Sequence, residues 1–262
     1  MQLAINFSNA AAELLAAGKI RLDRFKTPDW PDMISAASKF LPVAVHFGIN
    51  VGADDSFTTD WAQADRIAHE THTKLINVHL APRAKDFPDP DPRAVANRLI
   101  TDVCKAAAFF GPDRVMAENI PLGNPEENFA PACVDPVVIA EVLAESGAGL
   151  LLDISHARLS AMHLGIDERD YLESLPVERI REMHVTGLQT VDGRLRDHMP
   201  FTPADWEITR WAFDRIAAGD WATPDIVAFE YGGVGGKFEW RTDRAAIAEQ
   251  VPILYDLVHR RD

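Results

Sequence analysis

Nine side chains of metal-binding type fall at telling places in the sequence: His46, His79, Glu118, Asp153, His156, His184, Asp197, His198 and Glu230. Six of them close short apolar runs. His46 ends PVAVH, His79 ends KLINVH and Glu118 ends RVMAE; Asp153 ends GLLLD, His184 ends IREMH and Glu230 ends DIVAFE. A single strand-end His or Glu is ordinarily a hydrogen-bonded structural group. Six at the same end of successive runs, with no such enrichment at the other end, point to a shared purpose. Carboxylates gathered at one place repel one another unless a cation sits among them. Imidazole mixed with carboxylate suits iron, manganese, zinc or cobalt, whereas magnesium and calcium prefer oxygen donors.

The remaining candidates lie close by in sequence. His156 follows Asp153 by three residues in DISH, and Asp197 and His198 stand side by side in the segment expected as a loop after the seventh run. Of that adjacent pair, either both ligate or one ligates and the other supports it from outside. One divalent ion takes about three to six protein ligands. Nine candidates exceed that, so the expectation is a bridged cluster of two or three ions.

Such residues need a scaffold that brings strand ends to one place. Eight apolar runs start at Leu3, Ile20, Pro42, Lys74, Arg114, Gly149, Ile180 and Asp225, each without the polar alternation of a half-exposed strand. That pattern suits parallel strands buried on both faces. Between them lie segments with apolar residues three and four apart, such as AAELLAAG, DPRAVANRLITDVCKAAAFFG, VDPVVIAEVLAES and TPADWEITRWAFDRIAAG. Asp91-Pro92 and Thr202-Pro203 read as helix starts, and Gly111 and Gly219 as helix ends. Strand and helix alternating eight times predicts an α/β fold, a single (β/α)8 TIM barrel spanning 1–262 as one domain, whose strand C-termini open at one mouth. No GxGxxG follows the first run, which counts against an open doubly wound sheet.

Composition narrows the function. A net charge of -14 without any basic tract disfavours nucleic acid as a partner. No apolar stretch reaches membrane-span length, and the start lacks a signal-peptide pattern, so a cytoplasmic setting is expected. Cys104 and Cys133 form no CxxC pair, and Cys104, in a helical stretch, is expected to be a small buried residue. Asn119 is read as orienting a ligand or substrate, or as capping a loop; Arg158 and Lys237 as solvated loop charges or anion contacts; His69, His72, His163 and His259 as structural or exposed. The glycines of FEYGGVGGKFEW are expected to form a flexible loop over the mouth.

With these residues located, the chain resembles the multinuclear non-haem iron-dependent oxidases, within the superfamily of xylose-isomerase-like TIM barrels. The carriers are VHFGINVG, NVHLAP, AENI, LLLDISHARLSAMHLGID and MHVTGL, spread over nearly the whole length. In RDHMPF, Asp197 and His198 are adjacent where the family usually separates them by one residue, and His156 follows the pattern of apurinic-site endonucleases, which hold three zinc ions. The resemblance implies iron first, with zinc or manganese as alternatives, activating dioxygen to oxidise a cysteine of a ribosomally made peptide or another small substrate, with a partner protein delivering the peptide. A sugar isomerase or epimerase is the alternative, with Glu118 and Glu230 as its catalytic acid–base pair. A zinc-dependent phosphoesterase and a non-catalytic binding barrel stand behind these.

Overall fold

The structure is a computed structural model describing all residues except 55, 57, 88–90, 124–127, 237, 239–240 and 261–262. In chain order its elements are β1 (Gln2–Asn6), α1 (Asn9–Ala16), β2 (Arg24–Pro28), α2 (Pro31–Ala37), β3 (Val43–His46), β4 (Asn50–Val51), α3 (Trp61–Thr71) and β5 (Ile76–Leu80). Then follow α4 (Pro92–Phe110), β6 (Val115–Glu118), α5 (Pro136–Ser146), β7 (Gly149–Asp153), α6 (Ile154–Leu164) and α7 (Glu168–Ser174). Last come β8 (Ile180–Val185), β9 (Gly187–Val191), β10 (Arg194–Met199), α8 (Pro203–Ala217), β11 (Ile226–Phe229) and α9 (Arg244–Val258). The chain divides into two compact units, Met1–His46 with Glu182–Asp262, and Phe47–Arg181.

In the first unit the strand order is β3-β2-β1-β11-β8, parallel throughout. These strands are apolar on both sides because both sides are covered: Leu3, Ala4, Ile5, Val227, Ala228 and Phe229 are all fully buried. Register sets the chemistry, since Pro28 lies opposite His46 and Ala228 opposite His184. The second strand begins later than IRLDRF suggests. Ile20 and Leu22 are buried in the connection instead, and Asp23 there accepts a 2.7 Å hydrogen bond from the Leu3 N–H. Burial alone had made that stretch look like a strand.

Asp197 and His198 do not lie in a loop. They sit on β10, which pairs antiparallel with β9. The turn is Asp192-Gly193, both with positive φ (52° and 75°), as a tight hairpin with right-twisted arms requires. Beyond Arg196 the register shifts, and His198 itself has a φ of 55°. Gly187 closes the other arm: a Cβ there would overlap the Pro200 carbonyl oxygen.

In the second unit the order is β7-β6-β5-β4, again parallel. His79 lies directly opposite Glu118 in the β5–β6 register. The proline-led helices start as their sequences predict. Asp91 caps α4 and Asp135 caps α5, each accepting from a backbone N–H two residues on. In the first unit, Thr202 and Asp205 form a reciprocal capping box on α8. Cys104 on α4 is half-exposed and its thiol faces the Glu145 carbonyl, so the expectation of a buried residue was wrong. It stands at the rim of the helix's buried face, between buried Val103 and exposed Lys105, where apolar spacing does not distinguish rim from core.

Candidate metal centre

In the first unit, β3 ends on His46, β8 carries His184 and the chain leaving β11 supplies Glu230. One ligand atom from each lies within 4.8 Å of the other two. His184 and Glu230 are buried, the His46 and His184 rings are 5.4 Å apart, and His184 Nδ1 lies 3.3 Å from Glu230 Oε1. Glu230 is held in place by its own backbone, whose N–H donates to the Val185 carbonyl at 3.1 Å. The hairpin brings His198 alongside. Its Nδ1–H donates to the Glu230 carbonyl at 2.9 Å, turning Nε2 towards the Asp197 carboxylate 3.7 Å away.

Behind His184 stands an arrangement that motif reading passed over. Lys26 on β2 and Glu182 on β8 form an ion pair, with side chains 2% and 4% exposed. His184 Nε2 lies 3.0 Å from Glu182 Oε1 and 2.7 Å from Lys26 Nζ. Burial by itself would raise the Glu182 carboxyl; the Lys26 charge and the hydrogen bonds from His184 and Lys26 outweigh it and hold the group down to about 2. The signal was in the sequence. Glu182 precedes His184 by two residues on one strand face, and Lys26 is a charge in the middle of RFKTP, where Phe25, Lys26 and Thr27 are all buried.

In the second unit, His79, Glu118, Asp153 and His156 are drawn together. His79 Nε2 is 3.2 Å from Glu118 Oε2, His156 Nδ1 is 3.7 Å from Glu118 Oε1, and His156 Nε2 is 3.7 Å from Asp153 Oδ2. Asp153 is the N-cap of α6 and accepts from the His156 N–H at 2.8 Å, which explains the three-residue spacing in DISH. Backbone carbonyls aim both imidazoles. His79 Nδ1–H donates to Ile49 at 3.1 Å and His156 Nδ1–H to Asn119 at 2.9 Å, leaving each Nε2 directed at the carboxylates.

Two asparagines frame this unit. Asn119 donates to the Asp153 carbonyl at 2.9 Å and accepts from its N–H at 2.8 Å, and Asn77 does the same for Phe47 at 3.0 and 2.7 Å. Asn119 therefore fixes the strand end on which Asp153 sits, rather than capping a loop. Arg158 is neither in a loop nor solvated: it lies on α6, buried, with Nε 2.5 Å from Glu168 Oε2. Lys237 lies outside the described residues. In the glycine-rich segment, Gly233 is closely packed, since a Cβ there would overlap the Phe238 side chain. Nearby Arg241, its guanidinium 4.8 Å over the Phe238 ring, is lowered by burial and pulled back by Glu230 and Asp197.

Imidazoles and carboxylates in this mixture fit a divalent transition metal better than magnesium or calcium. Among the described residues no helix is long and apolar enough to cross a membrane.

Comparison with known proteins agrees with this picture. The chain superposes on D-psicose 3-epimerase with a TM-score of 0.62 at 12% identity, covering 98% of each chain. It superposes on endonuclease IV from Thermus thermophilus with a TM-score of 0.55 at 16% identity, covering 92% and 96%. At such identities these likenesses show the fold, that of the xylose-isomerase-like TIM barrels. In sequence, the chain is 26% identical to a UPF0276 protein of Acaryochloris marina over 77% of its own length and 71% of the other's. It is 31% identical to a UPF0276 protein of Caulobacter vibrioides over 56% of its own length and 54% of the other's. Residues 25–218, which include all of these metal-type side chains except Glu230, match the RiPP precursor modification enzymes MbnB/TglH/ChrH, and the chain belongs to that family.

Proposed function

We propose that this protein is a metal-dependent oxidase that modifies a cysteine of a ribosomally made precursor peptide. The observation that carries the reading is the His46–His184–Glu230 group, with His184 and Glu230 buried and one ligand atom of each residue within 4.8 Å of the others, in a chain of this family. His46, His184 and Glu230, with Asp197 and His198 beside them, form one ligand set; His79, Glu118, Asp153 and His156 form another. Two or three ions in all are held by these side chains, iron first and zinc or manganese as alternatives. Iron bound there supplies the one-electron chemistry that dioxygen requires.

The chain's own groups do the rest. Glu118, Asp153 and Glu230 balance the metal charge from positions that bulk water scarcely reaches. Backbone carbonyls hold His79, His156 and His198 in one tautomer, so each offers Nε2 without reorganisation. A partner protein delivers the peptide.

The test is elemental analysis of anaerobically purified protein, followed by incubation with a cysteine-containing precursor peptide under oxygen. Two or three irons per chain and a peptide whose mass changes only with oxygen are expected. Stoichiometric zinc with no iron would sink the oxidase reading, and turnover of ketoses without oxygen would replace it with an isomerase using Glu118 and Glu230 for proton transfer.

A further inference from the structure

Four of the candidate imidazoles, two in each unit, are anchored through a ring nitrogen, and one of them is turned the opposite way. His79, His156 and His198 each spend Nδ1–H on a backbone carbonyl, Ile49, Asn119 and Glu230 respectively. His184 instead spends Nε2, and on charged side chains: Nε2 is 3.0 Å from Glu182 Oε1 and 2.7 Å from Lys26 Nζ, while Nδ1 faces Glu230 at 3.3 Å. The difference has a local cause. Glu182 and His184 are two residues apart on one face of β8, so a side-chain acceptor lies directly beneath the ring.

A Lys–Glu pair is an uneconomical way to fill this space. Both ions lose their water, and apolar residues of like volume commonly give equal or greater stability. A pair retained at 2% and 4% exposure, sharing one oxygen with a histidine, calls for a role beyond packing. Two tautomers of His184 compete here. With the proton on Nε2, the ring donates to Glu182 and Nδ1 keeps its lone pair. With the proton on Nδ1, Lys26 donates to Nε2 and the Nδ1–H points at Glu230. Only the first can bind a metal through Nδ1. Lys26 Nζ and Glu182 Oε1 both reach Nε2, at 2.7 and 3.0 Å, so the first tautomer requires the ammonium to direct its protons to Glu182 Oε1, the oxygen that would also accept from the ring.

We propose that Lys26 and Glu182 are positioning residues: Glu182 takes the His184 Nε2–H and so presents Nδ1 to metal, while Lys26 pins Glu182 in place. The inference rests on the metal reading above, and the experiment separates the two. The full-length protein is labelled with 15N-histidine, and the His184 imidazole is followed by long-range 1H–15N NMR, metal-free and with Zn(II). Fe(II) and Zn(II) affinities are measured by chelator competition.

In metal-free wild type, Nε2–H is expected. Glu182→Gln frees the ammonium to donate to Nε2, so the proton moves to Nδ1 and metal binding weakens by about ten- to a hundredfold. The double variant Lys26→Met/Glu182→Gln removes the competing donor and leaves an amide oxygen to accept from Nε2–H. It restores the tautomer and recovers most of the affinity, which a purely structural role would not do. It also answers the question should Glu182→Gln, with its uncompensated lysine, fail to fold. Nδ1–H in the metal-free wild type, wild-type affinity in Glu182→Gln, or a double variant that binds no better than His184→Ala would overturn the proposal. Wild-type protein that binds neither metal would sink the metal reading instead, and the metal-free tautomer would still decide the roles of Lys26 and Glu182.

Discussion

The second unit supports its histidines by means unlike those that hold His184 in the first. In the second, the backbone is the support: carbonyls of Ile49 and Asn119 fix the rings, Asn119 holds both backbone groups of Asp153, and Asn77 holds those of Phe47. In the first, His184 rests on a buried ion pair. Neutral clamps satisfy buried polar groups at modest energy per bond, whereas an ion pair is all-or-none, since removing one partner strands the other's charge. The second unit should therefore yield gradually to substitution, and the first abruptly.

The largest expected effect is that of Lys26→Met, which leaves Glu182 buried without its counter-ion. Chemical denaturation should show a loss of about 3–5 kcal/mol, while Lys26→Met/Glu182→Leu should stay near wild type or exceed it. A double variant as unstable as the single would mean that shape, not charge, is what the site needs.

The same pair predicts acid behaviour. Glu182 is held down to about 2 from an ordinary 4.5, so its contribution is fully present above that ordinary value and is lost as pH falls towards 2. Metal-free wild type should lose more stability across this window than Lys26→Met/Glu182→Leu, measured as the urea midpoint against pH. Parallel curves would remove the charge argument.

On the other side of the comparison, Asn119→Ala and Asn77→Ala should each cost about 1–3 kcal/mol by leaving buried backbone groups unmatched. If either equalled Lys26→Met, the contrast between units would fail. Smallest is Asp153→Asn, which preserves a good helix cap and should change stability by under about 0.5 kcal/mol. Its metal content should nonetheless fall, and retention of full stoichiometry would reduce Asp153 to a cap alone.

How much of this was legible follows from the same physics. Strand-end His, Glu and Asp announce themselves because a polar residue closing an apolar run is conspicuous, and His46, His184 and Glu230 do come together. Lys26 and Glu182 escaped notice because a charge inside a strand usually marks an exposed face, and only a partner far along the chain makes it a buried one. Asn77 and Asn119 act through backbone groups of Phe47 and Asp153, which no side-chain pattern reveals. The hairpin is legible in Asp192-Gly193 between its two arms, but a polar stretch after a buried strand reads equally well as a loop. Arg158 was misplaced because Glu168, its partner, lies beyond the end of its own helix.

One of the residues that marks the family likeness has a second meaning. In HVTG, the glycine at 187 sits where the returning arm of the hairpin passes so close that the Pro200 carbonyl occupies the space of a side chain. Its small size is thus a clearance between two passing stretches of chain, and the same approach carries His198 to the Glu230 carbonyl. Widening that gap by a single methyl group would act at a distance, as a lever, on a histidine eleven positions further along the chain.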